Sequence, residues 1–190
     1  MATSWPATVE GLLAALGDDY TREHCLRVSN LAVAIGRQLG LSPGELQLLQ
    51  GAGLLHDVGK IAVPQAILAK PGTLSPEEFA LIKAHPLWGQ WIIHHRLGLP
   101  SLGAMVRHHH ERFDGRGYPD GISGEHIPPL ARIIAVADAW DAMTSFRPYR
   151  DRLSALQAEG ILQEGRGSQF CPHVVDAFQE LRRRGIDKYC

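Results

Sequence analysis

The chain has 190 residues, 45% hydrophobic and 21% charged, with a formal net charge of −1. That size suits one globular domain with at most a small extension, and the near-neutral charge excludes a global field that would steer the chain to nucleic acid or an anionic membrane. No apolar run reaches the ~20 residues that span a bilayer, residues 1–10 lack a signal-peptide pattern, and Cys25, Cys171 and Cys190 lack metal-site spacing, which points to reduced thiols in a cytoplasmic protein.

Residues 7–17 predict a short first helix. From Thr21 to Leu39, the apolar positions Val28, Leu31, Ile35 and Leu39 recur at helical spacing, and His24 lies one turn before Val28 on that stripe. Ser42-Pro43-Gly44-Glu45 starts the next helix, with Ser42 as N-cap, Pro43 in the first turn and Glu45 at the third position. That helix is expected to carry Leu48, Leu49, Ala52, Leu55 and His56, and to run on through Asp57 so that Lys60, four residues after His56, shares its face. Pro64 and Lys70-Pro71-Gly72 mark loops around Ile67-Leu68. Ser75-Pro76-Glu77-Glu78 is a second capping box opening a helix through Phe79 and Ile82. Pro86 puts His85 at a kink or at the start of a further helix to about His95. A helix over Leu102 to Glu111 precedes Asp114-Gly115-Arg116-Gly117-Tyr118-Pro119-Asp120-Gly121, which holds too many breakers for a regular element. A long apolar helix follows Pro128-Pro129, from Ala131 to Met143, and contains Asp138 and Asp141. Two last helices are expected near Leu153–Glu164 and His173–Arg184. No alternating strand pattern occurs, so the fold is expected to be all-α, with about seven or eight helices. The expected organisation is a lead-in helix over 1–19, a motif-bearing core over 20–178 and a C-terminal tail over 179–190.

The unusual count is ten histidines, the commonest metal-ligating side chain. Taken singly, each polar residue also suits a structural reading: His56-Asp57 as an ion pair, His24 as a hydrogen-bonded core histidine, Asp138 as a partner for a neighbouring base, His109-His110 as a solvated helix end. Jointly, five histidines and two aspartates on helical segments would each need a separate buried partner, whereas one metal centre would supply them all.

His56-Asp57, His109-His110-Glu111, Asp114-Gly115-Arg116-Gly117-Tyr118-Pro119 and Val136-Ala137-Asp138, in this order, resemble the HD-GYP subfamily of HD-domain phosphohydrolases. His24-Cys25-Leu26-Arg27-Val28, His85-Pro86 with Gly89, and Arg147-Pro148-Tyr149-Arg150 extend the likeness over nearly the whole chain. The resemblance implies metal-dependent hydrolysis of cyclic di-GMP, a bacterial second messenger, by in-line attack of a hydroxide bridging two metals. It implies His24, His56, Asp57 and Asp138 as the common ligands, and His85, His109 and His110 as those that add a second ion across Asp57. Lys60 is implied as the phosphate-binding charge beside the metals, and Asp141, Arg147 and Arg150 as holding the substrate's phosphate and guanine. Iron and manganese are the expected ions, and other divalent ions such as zinc suit the same ligands. Glu111 is expected to orient a ligand histidine. Tyr118 and Pro119 are expected to shape a loop that also serves contacts with diguanylate cyclases or receiver-type regulators. His94, His95, His108, His126 and His173 are expected to be surface or packing residues.

Two positions depart from the family pattern. Tyr20 stands where some members carry a glutamate that ligates a third metal; a phenol replaces a carboxylate ligand poorly, so two ions are expected. Cys171 stands where aspartate is usual and would be a weak cap for the last helix. Few residues precede His24, so regulation is expected to come from a partner, from expression or from another part of the protein. The product fits pGpG or GMP. A catalytically quiet cyclic-dinucleotide-binding or protein-interaction module acting through the loop, and a phosphohydrolase for another nucleotide such as cyclic GMP-AMP, are the alternative readings.

Overall fold

The computed structural model describes residues 7–16, 19–145 and 152–185. Ten α-helices follow one another: α1 Ala7–Ala15, α2 Asp19–Gln38, α3 Pro43–Leu55, α4 Gln65–Leu68, α5 Pro76–Lys83, α6 His85–Leu97, α7 Pro100–His108, α8 Pro129–Thr144, α9 Ala155–Glu164 and α10 Pro172–Arg183. Short 3-10 turns occupy Val58–Ala62 and Gly124–His126, and no strand occurs among the described residues. The all-α expectation holds. The helix count exceeds the expected one because Pro64–Ala69 closes a single helical turn and the Ala84 junction divides α5 from α6.

The predicted starts of α3 and α5 are where the sequence put them. Ser42 and Ser75 each accept the backbone N–H of the glutamate three residues on, and Glu45 and Glu78 return the bond to the cap's own N–H. A third box, Ser154 with Gln157, opens α9. At α10, Cys171 occupies the N-cap and makes no side-chain cap bond, as expected of a weak cap. Leu39 falls just past the end of α2 and is exposed, so it leaves the stripe that Val28, Leu31 and Ile35 bury.

α2 packs on α3 and α8, while α6 packs on α7 and on the 3-10 turn Val58–Ala62. The buried apolar cluster draws on Val9 near the start and on Phe178 and Leu181 near the end. The residues expected to be a tail therefore begin inside α10, and Leu181, 4% exposed, belongs to the core.

α3 stops at Leu55, earlier than expected. His56 is its C-cap and Asp57 heads the 3-10 turn. Lys60 thus reaches the site as Asp57's neighbour three residues on, rather than as His56's neighbour on one helical face. Gly59 lets the turn that follows come close to α6. A Cβ there would collide with the His85 carbonyl oxygen and lie 2.5 Å from the Gly89 nitrogen, so the 3-10 turn meets α6 backbone to backbone. This approach sets Asp57 against His85.

Candidate metal centre

Two groups of potential ligand atoms share one carboxylate. His24, His56 and Asp57 bring theirs within 4.8 Å of one another, and Asp57, His85, His109 and His110 do the same. Asp57 divides its oxygens between them. Oδ2 faces His56 Nε2 at 3.5 Å and His24 Nε2 at 3.8 Å, while Oδ1 faces His85 Nε2 at 3.3 Å. Asp138 Oδ1 joins the first group, 3.3 Å from His24 Nε2 and 3.9 Å from His56 Nε2. All seven expected ligands thus converge. His56, His85 and Asp57 form a wall closed to solvent, whereas Asp138 and Lys60 retain 19% and 32% side-chain exposure and mark the open side.

Helix ends explain the imidazole orientations. His56, His85 and His109 each follow the last turn of a helix, where carbonyls lack an intrahelical donor. Each points Nδ1 at the carbonyl three residues back: Gly53 at 2.8 Å, Ile82 at 2.7 Å and Val106 at 2.6 Å. A carbonyl only accepts, so Nδ1 carries the proton and Nε2 turns a lone pair inward. His24 reaches the same state by donating Nδ1–H to Asp141 Oδ2 at 2.7 Å. The inward nitrogens then meet in pairs, His24 with His56 at 3.2 Å and His85 with His109 at 3.4 Å. Facing lone pairs at that separation repel unless a proton or a cation stands among them, so the donor set fits divalent cations.

The electrostatics agree. Burial disfavours the ionised Asp57, yet Lys60 and the surrounding imidazoles outweigh it and hold its carboxyl well below the usual range. Asp138 is lowered in the same way against burial, by His24, His56 and His110. Burial pushes the imidazolium of His85 down to about 4 and lowers His109 and His110 as well. For His24, hydrogen bonds to Asp138 and Asp141 overcome burial and raise it to about 9. Without metal, a proton on His24 adds to the positive charge that Lys60 brings to these carboxylates.

Lys60 donates to Asp57 Oδ2 at 2.6 Å. Tyr118 lies over His110, with ring centroids 4.8 Å apart, and its N–H donates to the His110 carbonyl. Gly117 permits this approach, because a Cβ would strike the backbone from His110 to Arg112.

Two expectations need correction, and a third falls outside the described residues. Asp141, expected to touch substrate, is 4% exposed, and both its oxygens are taken within the protein: Oδ2 by His24 and Arg27, Oδ1 by Arg27 and Ser145. Glu111, expected to orient a histidine, instead accepts the backbone N–H groups of Asp120 and Gly121 and ties down the loop. His108 is half-buried and faces Asp120 at 3.4 Å, a placement that suits a packing residue. Arg147 and Arg150 lie outside the described residues; among the described residues, Asp141, Ser145, Arg152 and Arg182 line a cleft of about 750 Å³. Tyr20 sits exposed on α2, one turn before His24. The sequence reading missed Arg27 as a site residue; its one-turn spacing from His24 was the available signal.

A family model described as HD domain matches residues 9–174. The cyclic di-GMP phosphodiesterase response regulator RpfG of Xanthomonas campestris is 44% identical over 166 residues, covering 86% of this chain and 44% of the relative. The 3′3′-cGAMP-specific phosphodiesterase 3 of Vibrio cholerae is 35% identical over 182 residues, covering 96% of this chain and 40% of the relative. The chain therefore spans less than half the length of these curated relatives. Among solved structures, Bd1817 of Bdellovibrio bacteriovorus, described as an HDG"Y"P protein, superposes with a TM-score of 0.70 at 25% identity, over 85% of this chain and 52% of that one.

Proposed function

The chain belongs to the HD-domain family, and from that premise we propose that it is a metal-dependent phosphodiesterase acting on a cyclic dinucleotide, cyclic di-GMP foremost. The observation that carries the reading is Asp57, whose two oxygens face two separate groups of inward-turned imidazoles. His24, His56, Asp57 and Asp138 would hold one divalent ion, and Asp57, His85, His109 and His110 a second. Mixed imidazole and carboxylate donors suit iron or manganese. When bound, such ions supply Lewis acidity and a water that ionises near neutral pH.

The protein's own part is orientation and charge. Nδ1–H bonds lock the imidazoles in their ligand tautomer, and the closed wall directs a phosphodiester to the side where Asp138 and Lys60 are exposed. Lys60, held by Asp57, binds a phosphate oxygen and offsets the charge that develops on the phosphoryl group or the leaving oxygen. Arg147 and Arg150 would grip the remaining phosphate and the guanine. The Gly-Tyr-Pro loop, pinned by Glu111, is the proposed contact for diguanylate cyclases or receiver-type proteins. No helix among the described residues is long and apolar enough to cross a membrane, and a cytoplasmic location is part of the proposal.

Relatives named for 3′3′-cGAMP support a second substrate. The test is to load the protein with manganese, or anaerobically with iron, and follow cyclic di-GMP beside 3′3′-cGAMP by chromatography. Formation of pGpG or GMP from cyclic di-GMP is expected. Turnover of cGAMP alone would reassign the substrate, and no turnover at full metal loading would favour a binding module.

A further inference from the structure

We infer that Arg27 and Asp141 form a relay that positions His24, so that Arg27, a residue outside the ligand set, controls one of the two cation positions and leaves the other alone. The inference rests on the metal-centre reading above and deepens it.

His24 differs from the other oriented imidazoles in its place on the fold. His56, His85 and His109 follow helix ends and find spare carbonyls, but His24 lies inside α2, where carbonyls are engaged by the helix itself. Its Nδ1–H needs an acceptor from elsewhere, and α8 supplies Asp141, 2.7 Å away. Asp138 and Asp141 are three residues apart on α8, as are His24 and Arg27 on α2, so the two packed helices present matched pairs. Asp138 faces the inward nitrogen of His24, and Asp141 holds the outer one.

A buried carboxylate with one imidazole partner would be costly. Arg27 removes that cost with two bonds, Nε to Oδ1 at 2.6 Å and Nη2 to Oδ2 at 3.2 Å, and Ser145 Oγ adds a third donor at 2.9 Å. With Arg27 and Ser145 donating to Oδ1, and His24 and Arg27 to Oδ2, both Asp141 oxygens serve as acceptors. Arg27 and Asp141 cancel in charge, so His24 gains an oriented acceptor while the site gains no net negative charge. A guanine could engage Asp141 only by displacing these donors. The relay ends at His24; the imidazoles that complete the second group sit on α6 and at the end of α7.

Calorimetric titration of the chelated full chain with Mn²⁺ tests this, using Asp141→Asn, Arg27→Gln and the double variant. The parent should show two binding events. Loss of a partner that orients a ligand histidine weakens metal affinity by about 10–100-fold, so Asp141→Asn should weaken one event by that factor and leave the other at parental affinity, which also reports an intact fold. Arg27→Gln should weaken the same event by a smaller factor, and the double variant should match Asp141→Asn alone, because Arg27 acts only through Asp141. Additive losses would overturn the relay. So would two parental Mn²⁺ affinities in Asp141→Asn with a raised KM for cyclic di-GMP, which would make Asp141 a substrate contact. A parent that binds no Mn²⁺ would overturn the metal-centre reading itself and the relay with it. If Asp141→Asn does not fold, Arg27→Gln decides by the same selective loss, since Arg27 is partly exposed.

Discussion

Replacing Gly59 with alanine probes the contact that brings the two ligand groups together. The new Cβ would lie 2.5 Å from the Gly89 nitrogen and 2.8 Å from the His85 carbonyl carbon, and would overlap the His85 carbonyl oxygen. All three obstacles are backbone, so none can turn aside as a side chain would. Ordinary contact begins at 3.4 Å, so the 3-10 turn and α6 must part by roughly 1 Å or more, a displacement that can lower a precisely positioned reaction about 100-fold. Asp57 heads that turn and His85 opens α6, so their 3.3 Å approach widens by a comparable amount. Overpacking of this kind costs about 1–3 kcal/mol. In a domain of this size, 2 kcal/mol corresponds to a melting temperature about 4–8 °C lower. Chelated protein melted by circular dichroism gives the stability change, and Mn²⁺ titration gives the effect on the second ion. A Gly59→Ala variant with parental melting temperature and two parental Mn²⁺ affinities would refute the argument that this close approach builds the shared site.

Further outcomes follow from the same geometry. Asp57→Ala should empty both cation positions in metal analysis, whereas His85→Ala should mainly weaken one; parental metal content in Asp57→Ala would disprove the bridge. Lys60→Ala should retain metal and lose about 10²–10³-fold in turnover, and unchanged turnover would remove Lys60 from the mechanism. Cys171→Asp places an N-cap carboxylate at α10, close to Arg132, whose Nη1 lies 3.8 Å from the sulfur, and should add about 1 kcal/mol to stability in a denaturant melt. The metal-free protein should be most stable between about pH 6 and 7. His85 is held near 4 when folded against 6.5 as its ordinary value, so the unfolded chain takes up the extra proton as pH falls through that window and stability drops. His24 is raised to about 9, so its contribution is complete below 6.5 and disappears as pH rises through 9. Melting temperatures that rise steadily from pH 5 to 9 would contradict this balance.

Helix class and most helix starts were legible because they are local. Capping boxes at Ser42 and Ser75 and the prolines at 43, 76, 86 and 129 act on their own neighbours. The close packing of the turn after α3 was not legible, because it rests on Gly59 meeting the backbone of α6, a contact twenty-six residues away in sequence at His85. Ser154-Ala155-Leu156-Gln157 carried the same cap logic and could have been read.

The sequence by itself determined which residue types could make a metal centre and the order in which they occur, since ligand chemistry belongs to the side chain. Only the tertiary structure decided which nitrogen of each imidazole faces inward, how Asp57 divides its oxygens, and that Asp141 stands behind His24 with Arg27. Those outcomes depend on which donors and acceptors meet across helices far apart in the chain, and no local pattern encodes a distance between α2 and α8.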